Sequence, residues 1–192
     1  MRLIRNNIFE TNSSSTHALV VYKNGKYILP DKLRFDIGEF GWSYNVYYDT
    51  HSKASYIITL IFTHNTRYET EYLLDKLGRI LDKNNIQYSF PEVNFINEYG
   101  WGYWDIDGYV DHSCEAYSWL YDILDDEDML FKFLFNNESY ISTGNDNDDS
   151  YYIPGIGSYH DYYDSDYNIK PSWGEKIDEL ENNGYDIYFK GN

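Results

Sequence analysis

Residues 18–29 read Ala18-Leu19-Val20-Val21-Tyr22-Lys23-Asn24-Gly25-Lys26-Tyr27-Ile28-Leu29. Two β-branched or aromatic runs flank an Asn-Gly pair, a pattern that predicts a hairpin at the N-terminal end of the chain. A type I′ turn needs positive φ at both central residues, and Asn and Gly adopt it most readily. Pro30 and Asp31 end the hairpin, and Phe40-Gly41-Trp42 through Tyr47-Tyr48 is a further candidate strand.

Helical spacing follows. Asp49 or Thr50 caps a helix in which Ala54, Ile57, Ile58 and Ile61 recur at the period of a buried face. Thr66-Arg67-Tyr68-Glu69 forms a capping box ahead of Leu73, Leu74, Leu77, Ile80 and Leu81. Ile86–Ile96 and Tyr103–Val110 read as extended, broken by Pro91 and Gly100. Ser113 caps a predicted helix carrying Ala116, Trp119, Leu120, Ile123 and Leu124. Asp125-Asp126-Glu127-Asp128 precedes another with Leu130, Phe131, Leu134 and Phe135, where carboxylates suit the positive end of the helix dipole. A last helix opens on a second capping box, Ser172-Trp173-Gly174-Glu175, and ends at Gly184 before a closing strand, Tyr185–Phe189. Strands and helices in mixed order, without a βαβ rhythm, predict an α+β fold. Its sheet is mixed or antiparallel, with about four to five helices in one domain spanning 1–192.

The 192 residues include 15 Lys plus Arg against 32 Asp plus Glu, a net charge of −17. Residues 1–97 hold 11 basic and 10 acidic side chains, so the acidic excess is confined to 98–192, with 4 basic and 22 acidic. At 42% hydrophobic and 20% aromatic the chain can still bury a core, which excludes a disordered acidic tail. No apolar run is long enough to span a membrane, and the opening Met1-Arg2-Leu3-Ile4-Arg5 lacks the apolar core of a secretory signal. A single cysteine, Cys114, rules out an internal disulfide framework and suits a reducing, cytoplasmic setting. So negative a surface also opposes direct nucleic-acid binding.

Four features can carry chemistry. In Asn12-Ser13-Ser14-Ser15-Thr16-His17, the hydroxyls of Ser13, Ser14 and Ser15 with Arg5 can surround a phosphate. His17 has the pKa range of a general base there. The same residues also cap local backbone groups in ordinary loops. Asp111-His112-Ser113-Cys114 offers a proton-transfer pair in Asp111 and His112, or a capping carboxylate in Asp111 alone. Cys114 reads more simply as a small apolar residue. Asp146, Asp148 and Ser150 imitate the first ligands of a calcium loop, but Tyr151 and Gly157 stand where that loop needs Gly and Glu. A looser divalent site on Asp146 and Asp148 is what remains, and nothing in the sequence calls for a cofactor. Last, residues 144–168 mix Asp, Asn and Tyr. There Asp146, Asp148, Asp149, Asp161, Asp164 and Asp166 with Tyr162 and Tyr163 can line a partner-binding face.

The stretch Arg5-Asn6-Asn7-Ile8-Phe9-Glu10-Thr11-Asn12-Ser13-Ser14-Ser15-Thr16-His17 resembles an opening of poorly characterised bacteriophage and Firmicutes prophage proteins. Gly38–Trp42, Lys53–Tyr56, Gly108–His112 and Ser142–Asn147 resemble later blocks of that group. The resemblance implies a phage accessory protein in the host cytoplasm and supplies no mechanism.

Two functions are therefore expected to compete. One is an acidic inhibitor that occupies the basic, nucleic-acid-binding groove of a host defence protein, of anti-CRISPR or anti-restriction type. The other is an enzyme or nucleotide-binding module centred on Asn12–His17, with Ser15, His17, Asp111, His112 and Asp146 converging on one pocket.

Overall fold

Strand β1, Ser15–Tyr22, carries seven consecutive buried residues and so needs cover on both of its faces. The fold supplies that cover. The structure, a computed structural model, describes residues 15–63, 65–98, 101–111, 116–145, 152–158 and 171–190. After β1 come β2 (Lys32–Arg34), β3 (Glu39–Phe40), β4 (Asn45–Tyr47), α1 (Thr50–Thr63) and α2 (Arg67–Lys83). The middle of the chain holds β5 (Gln87–Ser89), β6 (Asn94–Glu98), β7 (Trp101–Asp105), β8 (Tyr109–Val110), α3 (Ala116–Asp125) and α4 (Glu127–Phe135). Last are β9 (Tyr140–Asn145), β10 (Tyr152–Ile153), β11 (Gly157–Ser158), α5 (Pro171–Asn182) and β12 (Tyr185–Lys190). Helices and mostly antiparallel sheets in this order make the fold α+β.

The main sheet runs β12-β1-β9-β4, antiparallel throughout. Side chains alternate across it. Leu19, Val21 and Ile141 face one core with α1 to α4, while Ala18, Val20 and Tyr140 face a smaller core with Ile153, Ile156 and Trp173. The small pairs β2–β5 and β3–β8 are parallel, and β6–β7 is an antiparallel hairpin.

The expected N-terminal hairpin does not form. β1 pairs instead with β12 and β9, from the far end of the chain. Neither Asn24 nor Gly25 takes positive φ. Gly25 serves close approach: a Cβ there would fall 1.6 Å from Asn136 Nδ2. The chain then leaves across α4, where the Tyr27 ring meets Phe131 and its hydroxyl donates to Asp128 Oδ1 at 3.2 Å.

The helix starts follow local chemistry. Asp49 Oδ1 accepts the Ser52 N–H at 2.8 Å, and Thr66 and Glu69 exchange both bonds of the capping box. Asp126 caps α4 through the Met129 N–H at 3.1 Å. The expected capping box at Ser172–Glu175 does not open α5: the helix already begins at Pro171, two residues ahead of Trp173, so Ser172 lies within the first turn, and at Pro171 a missing N–H costs nothing. Gly184, at φ +93°, ends that segment as expected.

Candidate functional site

Ser15, Thr16 and His17 are not in a loop. They open β1, paired with Asn145, Gly144 and Thr143 of β9, and all three are buried. Ser15 and His17 sit two apart on the strand and so share a face. There Ser15 Oγ lies 3.3 Å from His17 Nε2, and His17 Nδ1 lies 3.1 Å from the Tyr56 hydroxyl of α1. Sequence reading brought Ser15 and His17 together but missed Tyr56, which stands 39 residues away.

A neutral imidazole has one N–H and one lone pair, and each flanking hydroxyl can donate or accept. Both ring nitrogens of His17 therefore face a hydroxyl, Ser15 Oγ at Nε2 and the Tyr56 hydroxyl at Nδ1. Ser15 is 0% and His17 1% exposed, so neither atom of the Ser–His pair meets a substrate from solvent. The arrangement ties the start of the central strand to the central helix. Phe40 packs edge-on to Tyr56 at 5.0 Å and to Tyr47 at 5.3 Å beside this chain. Thr143 donates to Ser43 O at 2.9 Å. Burial pushes the Tyr47 hydroxyl above its ordinary pKa, and its bond with Thr143 opposes that.

Asp111 follows β8, a different element pair. Its N–H donates to Phe40 O at 2.8 Å, and its side chain packs over Gly41. The other expected partners of the pocket, His112 and Asp146, lie outside the described residues. So do Arg5, Ser13, Ser14 and Cys114. Asp148, Asp149, Asp161, Tyr162, Tyr163, Asp164 and Asp166 lie there as well. Among the described residues no cluster of three or more His, Cys, Asp or Glu is arranged to hold a metal. No helix among them is long and apolar enough to cross a membrane.

A second buried polar group had no sequence signal except its position within an apolar helix. Lys53 of α1 is 0% exposed, and its ammonium donates to Asn136 O at 2.6 Å and Ser139 O at 3.0 Å. It thereby satisfies carbonyls just beyond the C-terminus of α4, where the helix dipole favours a cation. Burial pushes its pKa down to about 8, with Asp49 pulling the other way.

Two groups of acids in the second half contrast, while Asp105, Asp107, Asp122 and Asp186 lie exposed outside both. At the α3–α4 corner, Asp125 pairs with Lys76, Glu127 with Lys83 at 2.8 Å, and Asp128 with Lys132 at 2.5 Å. A hydrogen bond from Lys83 holds Glu127 below the usual carboxylate range, and one from Lys132 does the same for Asp128. On α5, Trp173 is buried while Ile177 and Leu180 pack at the rim of the smaller core. Glu175, Asp178, Glu179 and Glu181 are exposed on the same helix, and none has an ion pair among the described residues. The signal that finds this face is the helical offset of those acids from Trp173, Ile177 and Leu180.

The chain matches no family model, and no curated protein and no solved structure is significantly similar to it.

Proposed function

We propose that this chain is an acidic interaction protein whose α5 side occupies a basic, nucleic-acid-binding surface of another protein. The observation that carries this reading is the outward face of α5, where Glu175, Asp178, Glu179 and Glu181 are exposed beside a single cation of the helix, Lys176, and none of the four has an ion pair among the described residues. Acids that serve the fold, at the α3–α4 corner, are matched to lysines. Unmatched ones on a rigidly anchored helix repel each other and are retained at some cost to the compact state. Complementary potential gives such a face fast, salt-sensitive association with a Lys/Arg groove.

The resemblance of the opening residues to phage and prophage proteins supports a host defence protein as the target, with anti-CRISPR or anti-restriction inhibition as the class. The test is capture of partners from host lysate by the full chain at low and high salt. The reading expects basic nucleic-acid-handling proteins that are released by salt. Binding that is indifferent to salt, or no basic partner, contradicts it.

A further inference from the structure

At one end of the β1–β12 ladder two tyrosines stand directly opposite each other, Tyr22 on β1 and Tyr185 on β12. Opposite residues of an antiparallel pair leave the sheet on the same face, with Cβ atoms about 5 Å apart. The two rings accordingly lie side by side, their centroids 4.6 Å apart and their planes tilted by 38°. Both side chains are half-buried, so the pair keeps contact with solvent.

The Tyr185 hydroxyl donates to Glu138 Oε2 at 3.3 Å, and Glu138 is itself exposed. Burial and that carboxylate push the Tyr185 phenol above its ordinary pKa, so it is protonated near neutral pH. A protonated phenol loses an electron readily when a base takes its proton in the same event, and Glu138 is placed to be that base. Other tyrosines hold one half of this arrangement. Tyr27 and Tyr88 donate to Asp128 and Asp82, but the rings stacked on them are Phe131 and Phe90. Tyr48 lies beside Tyr140, whose hydroxyl donates to the Pro154 carbonyl, a poor base. Tyr117 and Tyr121 share a bond between their hydroxyls, with ring planes nearly perpendicular at 85°.

We infer that Tyr22 and Tyr185 form an oxidative cross-link site, where an oxidant of haem-peroxidase kind, driven by hydrogen peroxide, joins the two rings as dityrosine. Oxidation of Tyr185 sends its electron to the oxidant and its proton to Glu138, leaving a neutral phenoxyl radical. A second one-electron oxidation does the same at Tyr22, whose proton passes to solvent. The radicals combine in a carbon–carbon bond between ring positions ortho to the hydroxyls. Each bonded carbon then loses its hydrogen as a proton, and each oxygen regains one. In total two hydrogens leave the protein and one hydrogen peroxide becomes two waters. Juxtaposition makes this coupling faster than encounter with a second molecule. The product fastens β12 to β1 in a chain whose one cysteine cannot form an internal disulfide. Like a disulfide closing a long loop, it constrains the unfolded chain.

The test is oxidation of the dilute full chain by a haem peroxidase with limiting hydrogen peroxide, then peptide mapping of the monomer fraction by mass spectrometry. The expected main dityrosine product is a peptide pair joined through Tyr22 and Tyr185 and lacking two hydrogens. Glu138→Gln, a change at an exposed side chain, should slow its formation about tenfold or more at neutral pH. Tyr22→Phe should remove it. Absence of the Tyr22–Tyr185 pair from the parent's monomer fraction overturns the inference, whether or not other tyrosines couple. So does formation of the pair at the parent's rate in Glu138→Gln.

Discussion

At the α3–α4 corner Asp125, Glu127 and Asp128 each face a lysine, two of them from α2, in the half of the chain without an acidic excess. On the opposite side of the main sheet α5 exposes Glu175, Asp178, Glu179 and Glu181, none of which has an ion pair among the described residues. Both groups come from the same acidic half, yet only the first is neutralised by the fold. The acidic half thus contains both helix caps and ion pairs that serve structure and a helix face that has no ion pair among the described residues.

The largest effect that bears on this comparison comes from the anchor of the charged face. Trp173→Ala empties a buried site under α5 and should destabilise the protein by about 3–5 kcal/mol in denaturant unfolding. A much smaller loss would mean that α5 is not held against the sheet.

Alkaline pH separates the interior from both acidic groups. Lys53 holds a folded pKa of about 8, below its ordinary value, so the unfolded chain binds the extra proton. Stability should therefore rise above pH 8, by about 2 kcal/mol near pH 9.5, and the rise should vanish in Lys53→Met. Burial raises the folded pKa of Tyr47 and Tyr48, so beyond about pH 10 the unfolded chain ionises first and stability falls again. Chemical denaturation across that range reads both slopes.

The paired corner should respond less. Asp126→Ala removes the α4 cap and should cost about 1 kcal/mol. Lys83→Met should cost less than about 1 kcal/mol, with a salt dependence, because the pair is exposed. Both Glu127 and Asp128 have depressed folded pKa values, so their contribution is lost as pH falls below the ordinary carboxylate range. Lys83→Met should flatten that acid limb.

Smallest of all is the expected stability change when α5 is neutralised. The combined Glu175→Gln, Asp178→Asn, Glu179→Gln and Glu181→Gln variant should stay within about 0.5 kcal/mol of the parent.

Local chemistry was legible in the sequence. The Thr66–Glu69 box is decided within four residues and appears where it was expected, and the acids expected at the start of α4 include its cap, Asp126, whereas the box expected at Ser172 does not form. What depended on distant partners was not. Asn24-Gly25 looks like a turn, but its glycine admits Asn136, and β12 takes the place of the hairpin partner. Ser15 and His17 look like loop residues because they are polar. They pack in a central strand because Tyr56 satisfies the imidazole from another element. In α1 every residue from Lys53 to Phe62 is buried, although Lys53, Ser55 and Thr59 suggest an exposed face. Thr59 accepts the Gly38 N–H at 2.9 Å and donates to Ser55 O, and Lys53 finds two carbonyls, so burial leaves the Thr59 and Lys53 side chains satisfied. The α5 face could have been read from its period alone. The denser Asp runs that precede it in the sequence are the stronger compositional signal.

The most direct test of the charged face is partner capture from host lysate by the parent chain and by the neutralised α5 variant, across a salt series. The account predicts a basic partner that the parent releases with rising salt and the variant fails to retain at low salt, with its melting temperature unchanged. Equal retention by the two proteins would contradict it.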